Sequence, residues 1–179
     1  RLARDEPRLR LFCLEDTSAF LRNAVRAGAR IVVEGTQGFG LSVFHSEHWP
    51  KATSRDTTAA GFLAEAGLSP FDVDTVALVL RCHPIRVAGD SGPLKHETSW
   101  PEIAQSAGIE SDLREFTTVT RKERRVGHFE PAIVQKAIDV NRPSLIVLNH
   151  LDYIDNEVQG GMLTRKALSF VDRVERSIG

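Results

Sequence analysis

Asn149, His150 and Asp152 directly follow the apolar run Leu145–Leu148, so a strand ends by presenting an amide, an imidazole and a carboxylate. Sites in strand-helix alternating folds lie beyond the carboxyl ends of strands, which directs attention to the loop after each apolar run. After Ile31–Val33 comes "EGTQGFG". Its three glycines let the backbone turn tightly and approach a ligand, and Gln37 offers a donor and acceptor pair able to read a polar ring edge; a plain tight turn fits the same residues. "TSRDTT", Thr53 to Thr58, places four hydroxyls around an Arg and an Asp just ahead of a helix, as a phosphate cradle or as an N-cap formed by Asp56 or Thr57. In "CHPIRVAGDSGPLKHE", Arg86 in a Gly- and Pro-rich loop suits an anion, while His83, His96, Lys95 and Glu97 read as surface residues whose irregular spacing argues against a metal site. "TTVTRKERRVG" concentrates Arg121, Lys122, Arg124 and Arg125 within five residues flanked by helix-disfavouring Thr, Val and Gly. That pattern points to small-anion binding over a merely solvated face.

The elements that must position these loops follow from periodicity. Helices are predicted in "EDTSAFLRNAVRAG", capped by Asp16 or Ser18 and stopped at Gly28, and in "TSRDTTAAGFLAEAG", ending at Gly67. A third lies in "SWPEIAQSAG", where Ser99 and Glu102 have capping-box spacing, and a fourth is opened by Pro131 in "FEPAIVQKAIDVNRP". The closing helix, "MLTRKALSFVDRVERSIG", has Phe170 and Val174 on one face. Strands are expected at Ile31–Glu34 and, both buried, at Val73–Arg81 and "SLIVL". The alternation predicts one α/β domain over residues 1–179 with a mostly parallel sheet covered by helices.

Composition sets the bounds. With 179 residues, 41% hydrophobic and 26% charged, the chain can bury one substantial core. A net charge of −1 and pI near 6.7 argue against electrostatic capture of nucleic acid or anionic membrane, so any anion site is local. Two cysteines, Cys13 and Cys82, lack metal or disulfide-scaffold spacing, and no apolar stretch approaches a bilayer span or a signal peptide. The expected address is the cytoplasm.

Asn-x-x-Asp after an apolar strand has the form of the guanine-reading motif of GTP-binding proteins. There one carboxylate accepts hydrogen bonds from both N1–H and the 2-amino group, a donor pair that adenine lacks. The segments "VEGTQGFGLS", "WPKATSRDTTAAG", "PIRVAGDSGPLKHE", "TTVTRKERRVGHFE" and "LIVLNHLD" occur in the order and approximate spacing of adenylosuccinate synthetases, and the resemblance runs from Val32 to Asp155. It is nearest the short archaeal and phage branch, which includes enzymes resembling 2-aminoadenylosuccinate synthetase that act on dGMP. The resemblance implies a P-loop-NTPase-like fold, present in part, and a ligase that joins IMP and L-aspartate at the expense of GTP with Mg²⁺.

On that resemblance Gln37 positions the purine base being modified, Thr53 contacts its phosphate and Val87 holds its ribose through the backbone. Thr120, Lys122 and Arg124 receive aspartate and neighbouring groups, and Arg124, Asn149, His150 and Asp152 serve GTP. Lys122 stands where the family usually has Arg, His150 where it has Lys, and Glu123 is a further departure within the basic loop. The family's phosphate loop, Gly-Asp-Glu-Gly-Lys-Gly, which carries the general base, its later catalytic His and its final Ser-Thr-Gly-Pro do not occur in these 179 residues. The expectation is therefore the C-terminal part of a longer chain, inactive alone and dimeric when complete, with the magnesium site mainly elsewhere. A non-catalytic nucleotide-binding remnant is the alternative. The residues leave open both IMP against dGMP and GTP against ATP.

Overall fold

The computed structural model describes residues 16–179; Cys13 lies outside them. Helix α1, Thr17–Arg26, starts where the Asp16 carboxylate accepts from the Ala19 amide at 2.8 Å, and the chain leaves it through Gly28 at φ +78°. Helix α2, Ala59–Ala66, is capped by Thr58 and not by either residue expected from the sequence. The Thr58 hydroxyl accepts from Gly61 N–H at 3.1 Å and donates to Asp56 at 2.6 Å, while Asp56 accepts a further hydrogen bond from the Ser42 hydroxyl at 2.9 Å. A hydroxyl both accepts and donates, so Thr58 caps the helix and the carboxylate braces the cap. Burial works against the Asp56 charge, yet the bonds from Thr58 and Ser42 together hold its carboxyl below the usual carboxylate range.

Strand β1, Ala77–Arg81, pairs in parallel with β5, Leu145–Asn149, in a register running from Ala77↔Leu145 to Arg81↔Asn149. Between them lies a second, antiparallel sheet of β2, Ile85–Arg86, β3, Glu97–Thr98, and β4, Arg125–Gly127, in the order β2-β4-β3. The strand-helix alternation is met by the parallel pair; the antiparallel sheet is built from segments too short to show a period in sequence. Helix α3, Trp100–Ala107, has the predicted Ser99/Glu102 capping box, α4, Pro131–Asn141, opens on its proline, and α5, Arg165–Ile178, is capped by Thr164.

Two apolar clusters form the core. Cys82, Phe170 and Val174 gather Phe129, Leu148, Leu151 and Ile178, and Trp100, Ile103 and Val126 gather Ile85 and Leu113; Tyr153 packs against both. Its ring meets Trp100 edge-on at 6.1 Å, as Phe129 meets Phe170. Burying one side chain of the Phe170 kind contributes about 1.5–3 kcal/mol.

Three strand expectations need correction. Residues 31–34 form no strand: a strand needs a ladder partner, none is available among the described residues, and Val32 is 91% exposed. Residues 73–76 are not in the ladder, because a 3₁₀ turn at Pro70–Asp72, with its own Ser69/Asp72 capping box, occupies the approach and pairing starts at Ala77. Finally neither paired strand is fully buried: Val79 of β1 is 60% exposed and Leu145, Ile146 and Val147 of β5 are 40–50% exposed, since the described residues leave part of this two-stranded sheet uncovered.

Candidate nucleotide site

The loop of residues 34–40 packs closely on α2, so closely that a Cβ on Gly35 would collide with the Phe62 ring. Gln37 is exposed in the left-handed region at φ +60°, and its Oε1 accepts from the Thr36 hydroxyl at 2.8 Å, which leaves the amide N–H₂ for a ligand. The polar run ahead of α2 is tied to this loop: Thr57 donates to the Gly38 carbonyl at 3.0 Å and Thr53 N–H to the Leu41 carbonyl at 2.7 Å. Thr53 is thus fixed by its backbone with its side chain half-buried. The N-terminus of α2 is poorly suited to cradle phosphate, because Ala59 N–H already donates to Asn141 at 2.8 Å and Gly61 N–H to Thr58.

Hydrogen bonds then lead to the loop carrying Val87. Arg86 was expected to face an anion, but its guanidinium donates to the Lys51 carbonyl at 3.2 Å and to the Ser91 carbonyl, so it clamps two loops together. Gly92, at φ +99°, is needed for that clamp, since a Cβ there would come 2.9 Å from the Arg86 Nη2. Val87 is half exposed, with its carbonyl accepting from the Ser91 hydroxyl at 2.6 Å.

The basic loop divides into spent and available charge. Arg125 is spent: it donates to Glu97 at 2.7 Å and to the Gly92 carbonyl at 2.8 Å, and its guanidinium holds the Glu97 carboxyl below the usual range. Glu123 faces Arg114 at 3.3 Å instead of its cationic neighbours. Arg121, at φ +52°, and Lys122 are exposed with no carboxylate in ion-pair range among the described residues. Thr117 organises the turn, accepting from Lys122 N–H at 3.0 Å and lying 2.6 Å from the Thr120 hydroxyl. Arg124 is half-buried, 3.7 Å from Glu115, and its Nε is buried without a partner.

At the end of β5, Asn149 Oδ1 accepts from His150 N–H at 2.8 Å, and His150 takes the left-handed conformation at φ +62° that starts a 3₁₀ turn, Leu151–Tyr153. The His150 ring stacks on Tyr153 at 4.9 Å and receives an Arg81 Nη1–H at its Nε2, 2.8 Å away. Burial, followed by the Arg81 charge, lowers the pKa of this imidazole. Asp152 is exposed and makes no side-chain hydrogen bond or ion pair among the described residues. Arg81 also pairs with Glu115, which faces Arg124 as well, so the basic loop and the end of β5 are joined through one carboxylate.

Arg81, Glu115 and Tyr153 belong to none of the sequence motifs. In-register pairing of the two apolar runs would have placed Arg81 beside Asn149, but nothing local marks Glu115. His83, expected on the surface, is buried against the Gly127 carbonyl at 3.1 Å, and burial depresses its pKa. No helix is long and apolar enough to cross a membrane, and no cluster of three metal-ligating side chains occurs, in both cases among the described residues.

A parallel strand pair with helices around it, and polar loops following its strands, makes this an α/β protein. The sequence profile described as adenylosuccinate synthetase matches residues 5–159. The chain belongs to the adenylosuccinate synthetase family. It is 38% identical to the adenylosuccinate synthetase of Methanocaldococcus jannaschii, covering 99% of this chain and 50% of that protein, and 36% identical to that of Pyrococcus sp., covering 93% and 48%. Among solved structures it is similar to cyanophage S-2L succinoaminodeoxyadenylate synthetase (PurZ), bound to dGMP and to dATP as an energy donor, at 28% identity and a TM-score of 0.76 over 99% of this chain and 48% of that one. The fully ligated Plasmodium falciparum adenylosuccinate synthetase, 16% identical with a TM-score of 0.77 over 92% of this chain and 49% of that one, has the same fold. The chain spans about half the length of the curated relatives it matches.

Proposed function

We propose that this chain is the substrate-holding part of a GTP-dependent ligase that joins L-aspartate to C6 of a purine nucleotide, IMP in the first instance, in purine nucleotide biosynthesis. The observation that carries the reading is Asp152: an exposed carboxylate with no internal partner among the described residues, set three residues beyond Asn149 at a parallel strand's carboxyl end. It can accept the N1–H and 2-amino protons of guanine together. Gln37 would face the base being modified, Thr53 its phosphate and Val87 its ribose. Thr120, Lys122 and Arg124 would take the aspartate carboxylates.

In the reaction, the 6-oxygen attacks the γ-phosphorus of GTP, GDP leaves, and the aspartate amine then displaces phosphate from C6 with loss of its proton. Positioning of three reactants is this chain's contribution. The general base belongs to a family motif these residues do not contain. Magnesium would supply charge neutralisation on the GTP phosphates; the described residues offer no acidic cluster to hold it, so no step is assigned through it. On the family's pattern the complete protein works as a cytoplasmic homodimer.

The likeness to PurZ, solved with dGMP, favours dGMP as the second substrate to test. The experiment is GDP and phosphate release by the protein from the complete gene, with aspartate and Mg²⁺, run with IMP and dGMP in parallel and with GTP or ATP as donor. Turnover with GTP and one of the two names the substrate. No turnover by folded protein that still binds nucleotide in calorimetry would replace the ligase reading with that of a binding module.

A further inference from the structure

We propose that Arg81 is a positioning residue for base recognition: clamped by Glu115, it fixes the His150 imidazole as a neutral wall against Tyr153, beside Asp152, on which the purine ring of the phosphoryl donor packs. The proposal rests on Asp152 reading the guanine edge. An arginine has five N–H donors and no acceptor, so the 2.8 Å contact from Arg81 Nη1 requires a lone pair on His150 Nε2. The ring is then neutral with its proton on Nδ1. A proton on Nε2 would point at the guanidinium and the ring would leave. An ammonium at position 150 could not accept this bond, whereas the imidazole does, and its flat ring, stacked on Tyr153 with the planes 28° apart, offers a surface parallel to a second ring.

Every neighbouring element contributes to the balance at His150. Arg81 faces it from β1, Glu115 from the segment ahead of the basic loop, and Asp152 and Tyr153 from the 3₁₀ turn, while the Cys82 thiol donates to its carbonyl at 2.7 Å. Glu115 and Asp152 favour the imidazolium; burial and Arg81 oppose it, and the opposition wins. Glu115 is only 18% exposed in its side chain and pairs with both Arg81 and Arg124, so Arg81 is held at one end by an ion pair and spends its other arm on the ring.

The test is the dissociation constant for GTP, by calorimetry at pH 8 and pH 6, for the protein from the complete gene and its Arg81→Gln variant, together with ¹⁵N imidazole spectra of His150. Expected is wild-type affinity unchanged between the two pH values and weaker binding by the variant. The gap should widen at pH 6 by up to about fourfold, because an imidazole returned to its ordinary pKa of about 6.5 is about three-quarters protonated there. In the His150→Gln background, where a carbonyl accepts and nothing titrates, the gap should be the same at both. Equal affinities for wild type and Arg81→Gln, or a loss identical at both pH values, overturns the proposal while leaving the ligase reading in place. Absence of GTP binding by the wild type overturns both. Should Arg81→Gln fold poorly, the wild-type spectrum decides alone: an Nε2-protonated His150 sinks the idea, an Nδ1-protonated one sustains it.

Discussion

On the proposed function, guanine selection turns on Asp152, and the exposure of this residue makes the consequence simple to measure. Asp152→Asn replaces an acceptor pair by one acceptor and one donor group, which sets an N–H against a purine N–H. The Michaelis constant for GTP should rise on the order of tenfold or more, a loss of about 1.5–3 kcal/mol for hydrogen bonds to a charged group, while the IMP or dGMP constant stays within about twofold. A rise shared equally by both nucleotides would contradict the assignment. A second residue-scale prediction concerns Cys82, fully buried, with its thiol pushed up to about 12. Thiol reactivity follows thiolate fraction and access. In a Cys13→Ser background, a disulfide reagent at pH 8 should leave the folded chain unlabelled and modify one thiol after denaturation. Labelling of the native chain at the same rate would show that the Cys82 pocket opens.

At the scale of elements, the Thr58 cap joins helix stability to the loop of residues 34–40, because Ser42 and Thr58 share Asp56 while neighbouring Thr57 donates to the Gly38 carbonyl. Thr58→Ala should destabilise the chain by about 1 kcal/mol, lowering the thermal midpoint by about 2–4 °C; Thr58→Ser should restore most of it. An unchanged midpoint for Thr58→Ala would mean that Asp56 caps α2 unaided. The cap also shows how far sequence carries the fold. Helices with a hydrophobic stripe and a capping residue, such as α3 and α5, were legible because capping and 3.6-residue periodicity act within a few neighbours. The cap of α2 was not: the sequence points to Asp56 or Thr57, whereas Thr58 takes the position, with Asp56 bracing it and held in turn by Ser42 from another loop. The same limit explains the missing strand at residues 31–34, whose apolar pattern is correct but whose ladder depends on a partner. It also explains Arg86, whose carbonyl partners lie at Ser91 and, across a loop, at Lys51. The candidate loops were all visible in order along the chain. Glu115, which connects two of them, carries no motif and became visible only in three dimensions.

For the whole molecule, Tyr153 packs on both apolar clusters, so disturbing one is felt in the other, and pH provides the disturbance. His83 and His150 have pKa values lowered on folding, mainly by burial. Between a lowered folded pKa and the ordinary value of about 6.5, the unfolded chain binds more protons, so stability is full above that range and falls as pH falls through it. A separate loss sets in below about pH 4, where Asp56 and Glu97, held low by their hydrogen bonds, take up protons. The thermal midpoint should therefore be flat from about pH 8 to 7 and decline from about 7 to 5. His83→Asn, which keeps a donor for the Gly127 carbonyl but does not titrate, should reduce that decline. An undiminished slope in the variant would assign the acid sensitivity elsewhere. Gln37, Arg121 and His150 share a backbone feature with a different consequence. Each holds a non-glycine residue at positive φ, costing roughly 1–2 kcal/mol apiece, and each lies in a loop for which ligand binding is proposed. A protein engineer seeking heat resistance would write glycine at these three positions first, and would trade away the side chains that the molecule keeps there at a thermodynamic loss. On the proposed function, selection for ruggedness and selection for ligand capture therefore pull this chain in opposite directions at the same three places.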